Sequence, residues 1–458
     1  MEEQHIADIL RLCFLIIEKK EKKRSKEMKN RRKKIQIREL RSFLILWSTQ
    51  SLSQLGSSLT TFALTLWLYE ETGSALSTAS LTICSYLPYV IMSIFAGAFT
   101  DKFDKKKTML VCDLLAAVST MLVFGLFLTN QLRVWHLYAV NVISGLMNTV
   151  QQPASEVAIT LLIPKEYFQK VSGLQSLSRS VISILNPLLA TALYSLAGLK
   201  IVIAVDLGSF AVAFLALLLF IQVPKVNSDR KESVFILAKE GIAFLKRTPM
   251  ILTMILFMSG INFVASAVDA VLPAFVLPNP KGGTAVLGIV SSFSGIAMVI
   301  GSIMISVLPK PKNRMKVVYS TMLFSMGTEN FMLAFCKEPW LWCLGQVIGW
   351  VLVPVMSANY DVIFRNTVPV ELQGRVYACR NTLQFFTIPL GLFFGGFMVD
   401  EIFEPFMGHR GSNEILSFLF GQGKGSGAAM TLFLLGVMGS AFCLIMGRKL
   451  RQYRYCEH

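Results

Sequence analysis

Three carboxylates stand inside long apolar runs of this 458-residue chain: Asp206, Asp269 and Glu329. A charge in such a run is expensive, so it marks a protein interior or a water-filled path, and a low dielectric favours the protonated form of an acid there. The chemistry this suggests is proton exchange, an acid loading and releasing a proton as its surroundings change. Asp269 is the first candidate, because it completes a polar stripe with Asn262 and Ser266 at spacings of four and three. Glu329 and Asp206 follow. Arg179, deep in another apolar run, calls for a carboxylate partner, for which Glu156 or an acid of the second half of the chain is a candidate. Asp113 lies where it can anchor the lysines that precede it.

Other polar residues recur at helical spacing and read as one wall each of a cavity: Gln50, Gln54 and Ser57; Asn141, Asn148 and Gln152; Asn186 with Gln175; Asn381 and Gln384. Hydrogen bonding between helices accounts for a share of them. Enzymatic chemistry finds no support, since no Ser/His/Asp or paired-carboxylate constellation is visible. The eight cysteines are scattered without a CxxC pair and the four histidines are isolated, so no metal site, disulfide framework or cofactor is expected. The run "GQGKGSG" (Gly421–Gly427) lacks phosphate-loop spacing and reads as a flexible connection.

The elements that position these residues follow from composition. With 53% hydrophobic residues, 33 Phe, 21 Met and 16% charged residues, at a mean hydropathy of +0.57, the chain has too little polar surface for a soluble protein of this length. Twelve apolar segments are long enough to cross a bilayer as helices: 43–69, 76–99, 108–128, 135–158, 171–196, 200–222, 250–277, 284–308, 316–336, 340–364, 376–399 and 428–447. Lys102, Lys105, Lys106 and Lys107, the bases of 223–249, those near Lys310 and the tail Arg448–Arg454 fall on one side, and the opposite loops carry about one base each. The positive-inside rule therefore predicts both termini in the cytoplasm. The net charge of +16 tracks these loops, so membrane lipids rather than nucleic acid are the expected partners.

The expected organisation is a basic segment 1–41, a six-helix bundle 42–222, a cytoplasmic linker 223–249 with an amphipathic helix, a second bundle 250–447 and a tail 448–458. Two readings of the first segment stay open: a membrane-surface helix followed by a basic stretch, or a start codon assigned upstream of a true one at Met28. Shifting the chain by 205 residues lays Ile163-Pro-Lys-Glu166 on Val368-Pro-Val-Glu371 and Glu156 on Asp361. A shift of 208 lays Asp101–Lys106 on Pro309–Arg314, keeping helix order. Two repeated six-helix halves around a cavity suit alternating access.

With its motif "GAFTDKFDKKK", in which Gly97, Asp101, Lys105 and Lys106 match G-x-x-x-D-x-x-x-R-K, the chain resembles the major facilitator superfamily from about residue 38 onward. The D-[KR]-F-D-[KR]-[KR] form, "KEGIAFLKRTP" (Lys239–Pro249) and "VPVELQGRVYA" (Val368–Ala378) are similar to the branch of macrolide-efflux proteins and drug:proton antiporters. The resemblance implies an all-α membrane protein of twelve transmembrane helices in two pseudo-symmetric six-helix bundles. It also implies a pathway lined by helices 1, 4, 7 and 10, a monomer in a bacterial cell membrane, and efflux driven by a proton gradient.

Gly97, Asp101, Lys102, Lys105 and Lys106 are expected to form a gate, with Asp101 accepting from the N-terminus of helix 11 when the cytoplasmic side is closed. Pro309 replaces the acid in the second-half copy. The helix-4 arginine associated with proton coupling in this family is absent, and "ILNPLLAT" (Ile184–Thr191) keeps Pro187 without the usual glycines. Aromatic and Met-rich helices with few fixed charges suit an amphipathic small-molecule substrate: a macrolide-like drug, a dye or a secreted metabolite. A siderophore or other natural product, a lipid, and a non-transporting sensor or scaffold are the alternatives.

Overall fold

The structure is a computed structural model and describes residues 41–102, 104–163, 167–223, 234–309, 311–410 and 414–453. Among them every regular element is a helix. In order these are α1 (41–72), α2 (Ala75–Lys102), α3 (Lys105–Leu128), α4 (Val134–Leu162), α5 (Phe168–Phe220), α6 (Val234–Arg247), α7 (Pro249–Val276), α8 (Thr284–Val307) and α9 (Arg314–Phe335). They are followed by α10 (Pro339–Val351), α11 (Val353–Thr367), α12 (Val370–Phe385), α13 (Thr387–Phe397), a π turn (Met398–Phe403), α14 (Glu404–Arg410), α15 (Glu414–Phe420) and α16 (Ser426–Arg451).

Local sequence explains where the helices break. Within α5, Gly198 adopts φ 72° and ψ 178°, a backbone that L side chains resist, and divides the helix into two arms that each cross. Pro354 follows the break at Leu352 between α10 and α11, so these two form one bent crossing; α12 and α13 form another, with its break at Phe386. Asp104 accepts from the Lys107 amide at 3.2 Å to start α3, and Asn313 accepts from the Lys316 amide at 2.9 Å to start α9. The two halves thus open their third helices with the same kind of cap, although Pro309, four residues before Asn313, has replaced the acid in the second copy.

Among the described residues eight segments are apolar and long enough to cross a membrane, one of them being the two-armed α5. The polar residues that stripe α1, α4 and α9 keep those three less apolar than the rest; they cross as members of the same bundles. With an even number of crossings, the ends near residues 41 and 453 share one face, called here the terminal face. The other is the far face.

Each half has its own core. Leu59, Leu137 and Ile203 belong to one cluster of the first half and Phe43, Met109 and Leu217 to another. The second half is built on Phe257, Trp342, Phe364 and their neighbours, and this cluster reaches across to Leu66 and Ala75 of the first half at the far face. Two seams join the halves. Along one, Gly288 and Gly295 of α8 lie so close to α5 that a Cβ would sit 2.9 Å from the Pro187 carbonyl and from Ile184. Along the other, Ala79 of α2, Ala270 of α7 and Leu392 of α13 share a small apolar cluster. The linker helix α6 lies against the start of α12, where Glu240 pairs with Arg375.

Candidate functional site

Where α2 and α13 bring the halves together, a cavity of about 280 Å³ opens between them. Its walls come from α1 (Thr65), α2 (Thr78, Thr82, Tyr86), α7 (Asn262, Ser266, Asp269, Pro273), α10 (Trp350) and α13 (Ile388, Leu392). Asn262, Ser266 and Asp269 are the stripe read from the sequence, and helix 7 turns it toward the cavity. Asp269 is exposed to this space and makes no hydrogen bond or ion pair among the described residues. Asn262 donates to the Gln384 carbonyl at 3.1 Å, which ties α7 to α12.

Behind the cavity wall lies the second acid. Glu329 of α9 is 7% exposed, and its Oε1 accepts from the indole nitrogen of Trp350 at 3.2 Å. Its carboxylate fills the space a side chain at position 349 would need, so Gly349 is what lets the acid sit there. Trp350 therefore touches both the cavity and the buried carboxylate, beside the break between α10 and α11. Of the two acids, Asp269 faces the cavity and Glu329 is buried behind the indole.

The remaining candidates occupy other places. Asp206 is buried in the second arm of α5 and accepts from Ser57 at 3.0 Å, a tie between that arm and α1. Gln50 donates to Asp113 at 3.3 Å, and Gln151, rather than Gln152, supplies the second donor from α4. Gln54, Asn148, Gln152 and Glu156 are exposed, and Asn141 bonds to its own helix through the Leu137 carbonyl. The Asn186 oxygen is buried without a partner. Gln384 is buried and donates to the Tyr360 hydroxyl, and Asn381 accepts from Arg380 at 3.2 Å. Of these, Ser57, Asp206, Gln50 and Gln384 tie one helix to another, and none of the group lines this cavity among the described residues.

Two expectations need correction. Arg179 is exposed and pairs with no carboxylate among the described residues. The acid–base pair forms in the other half instead, where Asp361, the counterpart of Glu156, meets Arg380 at 3.3 Å, with the guanidinium 4.9 Å from the Tyr377 ring centre. At position 175 the first half has Gln where the second has Arg380, which removes the partner. Among the described residues helix 4 supplies no wall of this cavity and helix 2 does, because α2 is the element of the first half pressed against α7 and α13 at this depth. At the end of the chain α16 continues through Arg451, held by a 2.8 Å bond from Arg451 to the Tyr319 hydroxyl.

Of the loop motif, Gly97, Asp101 and Lys102 continue α2, and their side chains lie outside the described residues. Lys105 is buried, and Lys106 donates to the Leu218 carbonyl at 2.9 Å, at the C-terminal end of α5 where a helix favours a cation. Sequence reading missed Thr78, Thr82 and Tyr86, although their spacing of four along α2 is the signal used for the other stripes. It also missed Trp350, whose role rests on contacts between distant helices.

The sequence profile of the Major Facilitator Superfamily matches residues 46–392. The chain belongs to this superfamily. Macrolide efflux protein A of Streptococcus pyogenes is 24% identical over 366 residues, covering 79% of this chain and 90% of the relative. The multidrug efflux pump Tap of Mycolicibacterium fortuitum is 23% identical over 358 residues, covering 75% and 86%. Among solved structures, an inward-facing, occupied bacterial homologue of the human lysosomal transporter Spinster aligns with a TM-score of 0.68 at 13% identity, over 91% of this chain and 98% of that one. The nucleoside transporter NupG aligns at 0.61 and 12%, over 90% and 100%. The superfamily fold is the twelve-helix, two-bundle arrangement described above, and the chain is a multi-pass membrane transporter, not an enzyme.

Proposed function

We propose that this transporter exports amphipathic organic compounds across a bacterial cytoplasmic membrane in exchange for protons. The observation that carries this reading is the cavity between the halves: threonine, tyrosine, tryptophan and aliphatic walls around one carboxylate, Asp269. Such a surface suits a largely apolar compound with a few polar groups, whereas sugars and small anions need denser hydrogen bonding or fixed positive charge. Efflux relatives at 23–24% identity support the direction of transport. At about 280 Å³ the cavity is at the small end for ligand sites, so a bulky compound enters only as the halves separate.

Asp269 is the exchanging acid in this reading, and Glu329 is a second one screened by Trp350. The charge asymmetry of the loops supports a cytoplasmic terminal face and an external far face. The monomer is the working unit. Expression in a drug-sensitive bacterium should lower the accumulation of at least one macrolide or dye, and a protonophore should restore it. Rescue confined to siderophores would redirect the substrate class, and rescue of none would overturn efflux of these compounds.

A further inference from the structure

At the far face the two halves are joined by a carboxylate. Asp400 belongs to the π turn that ends the α12–α13 crossing, and it reaches the N-terminus of α2 in the other half. There its carboxylate accepts from the Ser74 hydroxyl at 2.6 Å, the Ala75 amide at 3.1 Å and the Leu76 amide at 2.8 Å. These are donors that a helix leaves unpaired at its start, where its dipole also favours negative charge. Four residues earlier, Gly396 lies against α2 so closely that a Cβ would be 2.7 Å from the Leu76 Cα. A few residues later, Glu404 accepts from the Gly425 amide at 2.8 Å and fixes the start of α16, within the second half. The π turn shifts the helical phase between Gly396 and Glu404, so that one short segment grips α2 and α16 at once.

From these contacts we infer that Asp400 is the latch of the far-face gate, holding the transporter closed to the outside. The geometry mirrors the one expected for Asp101 at the opposite end of the same two antiparallel helices. There the acid at the end of α2 would cap the start of the α12–α13 crossing, and here the acid at the end of that crossing caps α2. The far-face closure has further support in the apolar core, since Leu66 and Ala75 of the first half are buried within the cluster of the second. Opening must break three bonds to one charge and pull Gly396 from Leu76, whereas the α5–α8 seam is held by the close approach of Gly288 and Gly295 to α5. The inference needs the orientation given above but no knowledge of the substrate.

A single reporter cysteine at Thr82→Cys in a background free of native cysteines, labelled by a membrane-impermeant maleimide, tests it. In right-side-out vesicles, Asp400→Ala should raise labelling about tenfold, and Ser74→Ala should raise it less, because the two amide donors remain. In inverted vesicles, the same Asp400→Ala change should lower labelling, since weakening one closed state shifts the population toward the other. Unchanged labelling from outside, or a rise from both sides, would overturn the latch, the second result marking general loosening. Asp400→Asn, which keeps the shape and one acceptor oxygen, should give an intermediate rate. If it too labels like the parent, charge at this position has no part in the gate.

Discussion

At the residue scale the account rests on two acids and the indole between them. Asp269 faces the cavity and Glu329 lies behind Trp350. Asp269→Asn should reduce proton-driven efflux to below about a tenth of the parent rate while substrate still binds, because the variant keeps the shape and loses only the exchangeable proton. Transport against a pH gradient, set beside equilibrium binding of the same compound, checks this. Trp350→Phe keeps the aromatic wall but removes the donor to Glu329, leaving a buried carboxylate without its bond. It should lower thermal stability by about 1–3 kcal/mol in detergent, and Glu329→Gln in the same chain should restore part of the loss. The stripe Asn262, Ser266 and Asp269 was legible because period alone turns it to one side of α7. Trp350 was not, since nothing in "GQVIGWVLVP" says that position 350 meets position 329.

At the element scale, helix breaks decide which residues meet. Gly198 divides α5 at a positive φ, and Gly198→Val should cost about 1–2 kcal/mol by forcing a branched side chain into that region, read as a lower melting temperature with substrate selectivity unchanged. Twelve apolar runs were countable, and the split at Gly198 fell between two of them. The π turn was not foreseen: "MVDEIF" carries no breaker, and its phase shift is fixed by Asp400 and Glu404 reaching helices hundreds and tens of residues away. For the same reason Gln151 rather than Gln152 joins Asp113. A helix sequence gives the stripe, while the neighbouring helices choose which edge of the stripe is bonded.

At the scale of the whole molecule, two six-helix halves meet along α5–α8 and α2–α13, with a cavity between them and a charged clasp at the far face. The repeat at shifts of 205 and 208 foretold the two halves, whereas the caps of α3 and α9, Asp104 and Asn313, stand 209 apart and were not read from it. It did not foretell one asymmetry between them: Asp361 pairs with Arg380, while Glu156 and Arg179 form no ion pair among the described residues. A transporter built this way should couple its two fluxes through the cavity acid. Purified protein reconstituted in liposomes with a pH dye inside, and given an outwardly directed gradient of a transported macrolide or dye, measures that coupling directly. The account predicts proton movement opposite to the compound, dependent on both the compound and Asp269. Compound flux with no accompanying proton flux, or proton flux unaltered in Asp269→Asn, would contradict it.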